Sequence, residues 1–159
     1  MKKEKAVKQT ISFFIGLLAG IAAFMTTIFL EGFLAIFTYS FLYLSKGSAF
    51  SLLLLLIPAA IEEAVKISLS WHLWKRFNST VIIIGLGLGM GFSEALISQG
   101  TLSWNILFSS LLYLHLLFLF VGFLFAGYMA KDNSRKFFFW WLMASIVLHW
   151  GYNSFQFTS

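Results

Sequence analysis

The feature that most constrains this chain is a series of five long apolar runs separated by short charged stretches. The runs lie at about residues 7–44, 50–74, 81–98, 102–130 and 137–157. A helix that crosses a bilayer needs roughly 20 consecutive apolar residues, and these runs far exceed the strands of a membrane barrel. The sequence therefore predicts an all-α fold, a polytopic transmembrane helix bundle with about five spans, the first of them long or broken.

Composition excludes a soluble globular protein. Of the 159 residues, 60% are hydrophobic and only 11% are charged, whereas soluble domains are about half apolar and about a quarter charged. We expect a single integral membrane domain over residues 1–159, with a motif-bearing core at residues 50–157. The chain has no cysteine, which excludes disulfides, thiolate metal ligands and a cysteine nucleophile.

The distribution of basic residues predicts the topology. They cluster at the ends of the apolar runs, which is typical of topology signals and lipid-headgroup contacts, so the net charge of +5 does not indicate a nucleic-acid partner. If the first run crosses the membrane once, residues 2–8, 75–76 and 131–136 share one side and the other side keeps only Lys46. We expect a multi-pass protein of the cell membrane with a cytoplasmic N-terminus and an extracytoplasmic C-terminus. Residues 31–44 would then be tilted, broken or interfacial.

Four glycines in the third run predict close helix packing. Gly85 and Gly89 form one Gly-xxx-Gly pair, and Gly87 and Gly91 form a second, interleaved pair. Small residues at this spacing let helices approach closely in lipid. A phosphate-binding glycine loop would need a following lysine and a helix N-terminus, and neither is present.

The second run carries Glu62, Glu63 and Lys66 near its middle. Each such charge costs roughly 2.5–3.5 kcal/mol at the centre of a span. On a helix either carboxylate could pair with the lysine, and an ion pair that only fixes packing is one interpretation. A single pair would suffice for packing, however, and a second carboxylate favours a proton-handling role.

The later runs each add polar residues. Glu94 lies in the third run, His115 in the fourth, and His149 with Asn153 on one face of the fifth. Taken alone, each could be an interfacial or hydrogen-bonded packing residue. Because four runs each supply ionisable groups, we expect one polar pocket between the helices that opens outward. His72, Glu31 and Lys46 lie near the ends of the runs and are expected at the interface.

Two carboxylates and two histidines around a cavity suit the activation of a water molecule. A glutamate can take the proton from water as it attacks a peptide carbonyl, and a histidine can orient that water or protonate the leaving amine. Asn153 could stabilise the oxyanion. The same atoms could instead bind zinc, with His115, His149 and Glu62 as candidate ligands. Neither the His-Glu-x-x-His helix of zinc proteases nor a rhomboid-type serine motif is present.

These motifs, in this order, resemble those of the PrsW-type intramembrane proteases. The motifs are Glu62-Glu63-x-x-Lys66, Gly89-x-Gly91-Phe92 leading to Glu94, the isolated His115, and His149-x-x-x-Asn153. The wider group includes the CAAX prenyl endopeptidases and the bacterial Abi proteins. The resemblance covers residues 62–153. It departs from the family pattern at Glu94, which follows Gly91-Phe92 too early, and at Ala95, where an asparagine is expected.

The resemblance implies hydrolysis of a peptide bond in a membrane-tethered protein at the extracytoplasmic side, as in the processing of anti-sigma factors. The implied catalytic residues are Glu62, Glu63, His115, His149 and Asn153, with Lys66 and Glu94 in supporting roles. The implied cofactor is either none or zinc. Two alternatives stay open: a non-catalytic membrane scaffold or immunity protein of the same fold, and a component of a proton-coupled transporter that uses the Glu62–Lys66 pair as a relay.

Overall fold

The described part of the chain is a bundle of five α-helices. The structure is a computed structural model that describes residues 2–44, 54–100, 104–130 and 133–158. The helices are α1 (Lys2–Leu44), α2 (Leu56–Phe77), α3 (Val81–Gln99), α4 (Ser110–Ala130) and α5 (Ser134–Thr158). A short 3-10 helix, Trp104–Phe108, precedes α4. No strand occurs in the described ranges, so the predicted all-α fold is confirmed.

Three of the helices are long and apolar enough to cross a membrane. They are α3, α4 and the Glu4–Ile36 part of α1. Large apolar side chains on α1 face outward, among them Phe29 at 75% and Ile36 at 74% exposure, as expected for contact with lipid. The structure therefore supports a membrane protein with transmembrane helices. Crossings by α2 and α5, which carry most of the polar residues discussed below, stay predictions.

The first helix is unbroken. A broken helix was one prediction for residues 31–44, but α1 continues to Leu44 and is 43 residues long. At about 1.5 Å per residue it is about 65 Å long, roughly twice the thickness of the hydrocarbon core. Because no proline or helix-ending glycine motif interrupts the segment, nothing in its sequence enforces a break. Lys46 lies outside the described residues.

The fourth apolar run is not one continuous helix. Residues 102–130 were predicted as a single run, but the chain turns at Ser109, between the 3-10 helix and α4. The Ser109 N–H donates to Ile106 O at 3.1 Å, and the Leu112 N–H donates to Ser109 O at 3.2 Å. Serine hydroxyls compete with the helical backbone bonds and so favour a helix start over a helix interior. The two adjacent serines explain the break.

The close packing predicted for the glycines of α3 is present, and one pair packs against α1. A methyl group at Gly85 would overlap the carbonyl oxygen of Phe13, and one at Gly89 would overlap that of Leu17. The two helices therefore meet backbone to backbone. Gly85 meets Phe13 and Gly89 meets Leu17, so the residue numbers rise together along the contact. The two helices therefore run parallel.

The second glycine pair faces the opposite neighbour. A Cβ atom at Gly87 would lie 3.1 Å from the Cα of Leu116, and one at Gly91 would lie 2.7 Å from the Cα of Leu112. The residue numbers on α4 fall, from Leu116 to Leu112, as those on α3 rise from Gly87 to Gly91. Helices α3 and α4 are therefore antiparallel. The interleaved pairs thus place α3 between α1 and α4, with close contact on both sides.

Helix α2 turns its charged face inward. Its buried residues recur at helical spacing and are Ala59, Glu62, Glu63, Lys66, Ile67 and Ser70. Its exposed residues include Leu56 and Ile57. This pattern is the inverse of a soluble amphipathic helix and is expected where lipid rather than water surrounds the protein.

Candidate functional site

Six ionisable side chains from four helices meet near one end of the bundle. We call this group the polar cluster; its members are Glu62, Glu63 and Lys66 of α2, Glu94 of α3, His115 of α4 and His149 of α5. Five of them are buried: Glu63 and Lys66 have 0% exposure, and Glu62, the most exposed of the five, has 9%. The convergence predicted from scattered positions in the sequence is therefore present.

Lys66 lies at the centre of the polar cluster. Its Nζ is 2.5 Å from Glu63 Oε1 and 3.4 Å from Glu62 Oε1, and 3.1 Å from His115 Nδ1. Two carboxylate oxygens and, when it carries no proton, the Nδ1 of His115 are thus acceptors for the ammonium group. A fully buried lysine requires such compensation, because an unpaired charge in this environment would cost several kcal/mol.

His115 connects the lysine to a further carboxylate. Its Nε2 is 2.5 Å from Glu94 Oε2, while its Nδ1 is 3.1 Å from both Lys66 Nζ and Glu62 Oε1. An unprotonated Nδ1 accepts from Lys66, and a protonated Nδ1 donates to Glu62. The imidazole can therefore exchange partners by gaining or losing one proton.

His149 contacts both carboxylates of the Glu62–Glu63 pair. Its Nδ1 is 2.9 Å from Glu63 Oε1 and its Nε2 is 3.7 Å from Glu62 Oε2. The ring is fixed from one side by Phe118, which stacks on it at a centroid distance of 5.5 Å. Phe118 also lies below Lys66, with Nζ 5.9 Å from the ring centroid.

One carboxylate oxygen of the polar cluster has no partner. Glu63 Oε1 contacts Lys66 and His149, but the buried Oε2 makes no hydrogen bond within the described residues. Buried polar atoms are nearly always paired, so an unpaired one at a functional site needs an explanation. This oxygen is free to accept a proton or a hydrogen bond from a water molecule or substrate.

The polar cluster contains more carboxylates than permanent cations. Glu62 and Glu63 share the ammonium of Lys66, while Glu94 contacts His115. Its carboxylates and imidazoles lie at hydrogen-bond distances from one another, and these are the groups that acid–base chemistry uses.

Local helix geometry explains why Glu94 meets His115. The Gly91 contact brings the backbones of α3 and α4 together at Leu112. Glu94 and His115 each lie three residues beyond this contact on antiparallel helices, and helical side chains lean toward the N-terminus of their own helix. Both side chains therefore lean back to the level of the contact. Glu94 is therefore part of the cluster although its spacing from Gly91 differs from the PrsW-type motif.

The polar cluster reaches the protein surface at its edge. The side chain of Glu94 is 34% exposed and that of Glu62 is 12% exposed. Asn153, one turn beyond His149 on α5, is half-buried and makes no hydrogen bond with the described residues. Of the predicted site residues, Asn153 is thus the one without a hydrogen bond to the cluster among the described residues.

Three nearby residues were not identified from the sequence as site residues. Glu31 of α1, expected at the interface, is partly buried and interacts electrostatically with Glu62, Glu94 and His149. Tyr152 is hydrogen-bonded to Ser110 and interacts with Glu94. Phe118 packs on His149. Tyr152 could have been identified from its position three residues after His149, on the same helix face. Glu31 could have been identified because it is an ionisable side chain within an apolar run.

The donor set fits a metal ion only in part. Ligand atoms of Glu62, Glu63 and His149 lie within 4.8 Å of one another, as a tetrahedral zinc site with an open position requires. The sequence predicted His115, His149 and Glu62 as ligands, and the structure has Glu63 in place of His115. Both ring nitrogens of His115 already contact other side chains. Lys66 Nζ lies close to oxygens of both glutamates, so a bound cation would have to displace the ammonium.

No family model matches this chain, and no curated protein or solved structure matches it either.

Proposed function

We propose that this protein is an intramembrane peptidase that hydrolyses a peptide bond of a membrane-tethered protein. The observation that carries the proposal is the convergence of the Glu62–Glu63 pair on both His115 and His149 from three different helices. Buried charges are costly, and a single ion pair would meet any packing requirement. The excess of carboxylates and the two imidazoles are the groups that peptide hydrolysis needs.

The proposed reaction begins with a water molecule beside the Glu62–Glu63 pair. Glu63 accepts a proton from it at the unpaired Oε2 while the water oxygen forms a bond to the peptide carbonyl carbon. The carbonyl becomes a tetrahedral oxyanion, for which the Asn153 amide is the predicted donor. When the C–N bond breaks, a proton held by His149 or Glu63 passes to the leaving nitrogen, which gives a free amine and a carboxylic acid.

The other members of the polar cluster position these groups. Lys66 holds Glu63 Oε1 and leaves Oε2 free. Glu94 orients His115 by contacting its Nε2, because a carboxylate bound to one ring nitrogen fixes the orientation of an imidazole. If the enzyme uses zinc, Glu62, Glu63 and His149 would hold it, and the metal would supply a more acidic water and a polarised carbonyl.

The proposed topology places this chemistry at the extracytoplasmic side. With a cytoplasmic N-terminus and five crossings, the polar cluster lies in the outer half of the membrane, since it is near the start of α2 and α4 and near the end of α3. The resemblance to PrsW-type proteases suggests a single-span regulatory protein, such as an anti-sigma factor, as substrate.

The test is a cleavage assay with purified protein in liposomes. The probes are single-span peptides with a fluorophore and a quencher on either side of the extracytoplasmic juxtamembrane segment. We expect Glu62→Gln, Glu63→Gln and His149→Ala each to lower the cleavage rate by at least about 100-fold, since a general acid or base contributes about 10²–10⁴-fold. Metal analysis of the same protein separates the glutamate-only mechanism from the zinc mechanism.

Matched controls come from the same chain. Glu4→Gln removes an exposed carboxylate and His72→Ala an exposed histidine of α2, and neither should change the rate. Equal cleavage by all three site variants and the wild type would reject the site assignment. Absence of cleavage by the wild type across the peptide panel would favour the non-catalytic scaffold, for which the full burial of Lys66 between two carboxylates is the supporting observation.

A further inference from the structure

A second polar feature lies at the opposite end of the bundle. A cavity of about 490 Å³ opens between the end of α2, the end of α4 and the start of α5. Its lining combines the aromatic side chains of Trp71, Trp74 and Phe137 with the polar side chains of Lys75, Asn78, Asn133 and Ser134. His115 and Ala130 are separated by about 22 Å along α4, at about 1.5 Å per residue. The cavity is therefore separate from the polar cluster.

One wall of this cavity is aromatic. The ring of Phe137 stacks on Trp71 at a centroid distance of 5.8 Å and on Trp74 at 5.7 Å, with interplanar angles of 23° and 28°. Phe123 packs edge-on against Trp74 behind them. Tryptophan is enriched where a membrane protein passes from lipid to headgroups, because its ring is apolar and its N–H is a hydrogen-bond donor.

The rim of the cavity is cationic and rich in donors. Lys75 is exposed, and its Nζ lies 4.1 Å from the centroid of the Trp71 ring. The amides of Asn78 and Asn133 and the hydroxyl of Ser134 complete the polar part of the lining, and none of the described lining residues is acidic. The lining therefore complements a group with a negative charge and several acceptor oxygens.

The N-terminus of α5 is not the basis of this complementarity. The Oδ1 of Asn133 already accepts hydrogen bonds from the backbone N–H groups of Arg135 and Lys136, both at 3.1 Å. The backbone N–H of Phe137 donates to Asn133 O at 2.9 Å. The available donors are consequently the side chains at the rim, and among the described lining residues Lys75 is the cation.

We propose that this cavity binds the phosphate headgroup of an anionic phospholipid. The Lys75 ammonium and the rim amides would contact the phosphate oxygens, while the aromatic wall formed by Trp71, Trp74 and Phe137 would contact the glycerol and upper acyl carbons. Basic pockets between helices at the cytoplasmic side are the sites where anionic headgroups bind. The volume suits one headgroup, since ligand cavities are typically about 300–1,000 Å³. This proposal does not depend on the peptidase activity.

The test is native mass spectrometry of the purified protein titrated with defined lipids. We expect dioleoyl phosphatidylglycerol to bind at least about fivefold more tightly than dioleoyl phosphatidylcholine, and Lys75→Gln to remove about fivefold of this preference, as is typical for one cation near a lipid surface. Lys75→Arg should retain it. Because Lys75 is exposed, these variants should melt at the wild-type temperature.

The matched control is Lys5→Gln. Lys5 is exposed and lies at the same end of the bundle, on the α1 segment before the Gly85 contact. Equal loss of preference in Lys5→Gln and Lys75→Gln would show a diffuse surface effect and overturn the site. Equal affinity for the two lipids would also overturn it. Displacement of bound phosphatidylglycerol by millimolar inorganic phosphate would identify a free-phosphate site and reject the lipid as occupant.

Discussion

At the residue scale, Lys66 decides how the polar cluster is held together. It is fully buried and lies between Glu62, Glu63 and His115. Removing one member of a buried ion pair leaves the other charge uncompensated, whereas replacing all members with neutral groups is often nearly neutral for stability. Comparing a variant of Lys66 alone with a variant of Glu62, Glu63 and Lys66 together therefore shows whether these charges stabilise the fold or serve chemistry.

We predict that Lys66→Met lowers the free energy of unfolding by about 3–5 kcal/mol, because Glu62 and Glu63 lose their shared cation. The triple variant Glu62→Gln/Glu63→Gln/Lys66→Met should regain most of this loss. Denaturant unfolding in mixed micelles measures both changes. If the triple variant is folded and stable, the charges are not kept for stability, whereas an undiminished stability of Lys66→Met would contradict a charged lysine in the cluster.

Four of the site residues that the sequence identified share one property. Each of Glu62, Glu63, His115 and His149 is an ionisable side chain well inside an apolar run, where its cost makes it conspicuous. Tyr152 was not conspicuous, because an amphipathic aromatic residue is normal near a membrane interface. Glu31 was assigned to the interface from its position along the run, whereas in the structure it is partly buried and interacts with Glu62, Glu94 and His149.

At the element scale, α3 is the central packing element of the bundle. It has glycines toward α1 at Gly85 and Gly89, and toward α4 at Gly87 and Gly91. Without a hydrophobic driving force between helices in lipid, close backbone contact is a main source of association. The Gly91 contact also sets the distance between Glu94 and His115, so packing and site geometry are coupled on this helix.

We predict that Gly91→Ala destabilises the protein by about 1–3 kcal/mol, as overpacking typically does. A Cβ atom at this position would lie 2.7 Å from backbone atoms of Leu111 and Leu112, so α4 would have to move. Gly151→Ala is the control, because no atom lies within 4 Å of its Cβ position on α5. The alanine should there be neutral or stabilising by up to about 1 kcal/mol. Equal unfolding curves for both variants would contradict the packing role of Gly91.

Helix existence could be predicted from the sequence, but helix limits and partners could not. The apolar runs predicted all five helices, and the Gly-xxx-Gly pairs predicted close contact on α3. Neither pattern predicts which helices pack against each other, because runs of similar apolar composition present similar surfaces. The break at Ser109 was missed because apolar residues continue the run on both sides of Ser109 and Ser110.

At the scale of the whole molecule, the two ends of the bundle differ in chemistry. Because α1 and α3 are parallel and α4 is antiparallel to α3, the N-terminus of α1, the α2–α3 turn and the start of α5 lie at one end. The basic residues Lys5, Lys75, Arg76, Arg135 and Lys136 are at that end. The polar cluster lies toward the other end. Alternating helix directions also agree with one crossing per helix, the assignment that the positive-inside rule favours.

The absence of native cysteine makes this topology directly testable, because every introduced cysteine is unique. We predict that in intact cells a membrane-impermeant maleimide labels Ser98→Cys and Gln156→Cys, whereas Lys5→Cys and Thr80→Cys react only after permeabilisation. The reason is that Thr80 directly precedes α3 and Ser98 lies in its last turn, and α3 must cross once if the basic end is cytoplasmic. Labelling of Thr80→Cys and Ser98→Cys from the same side would show that α3 does not cross. Labelling of Lys5→Cys in intact cells would reverse the orientation and place the polar cluster toward the cytoplasm, where an extracytoplasmic substrate could not reach it.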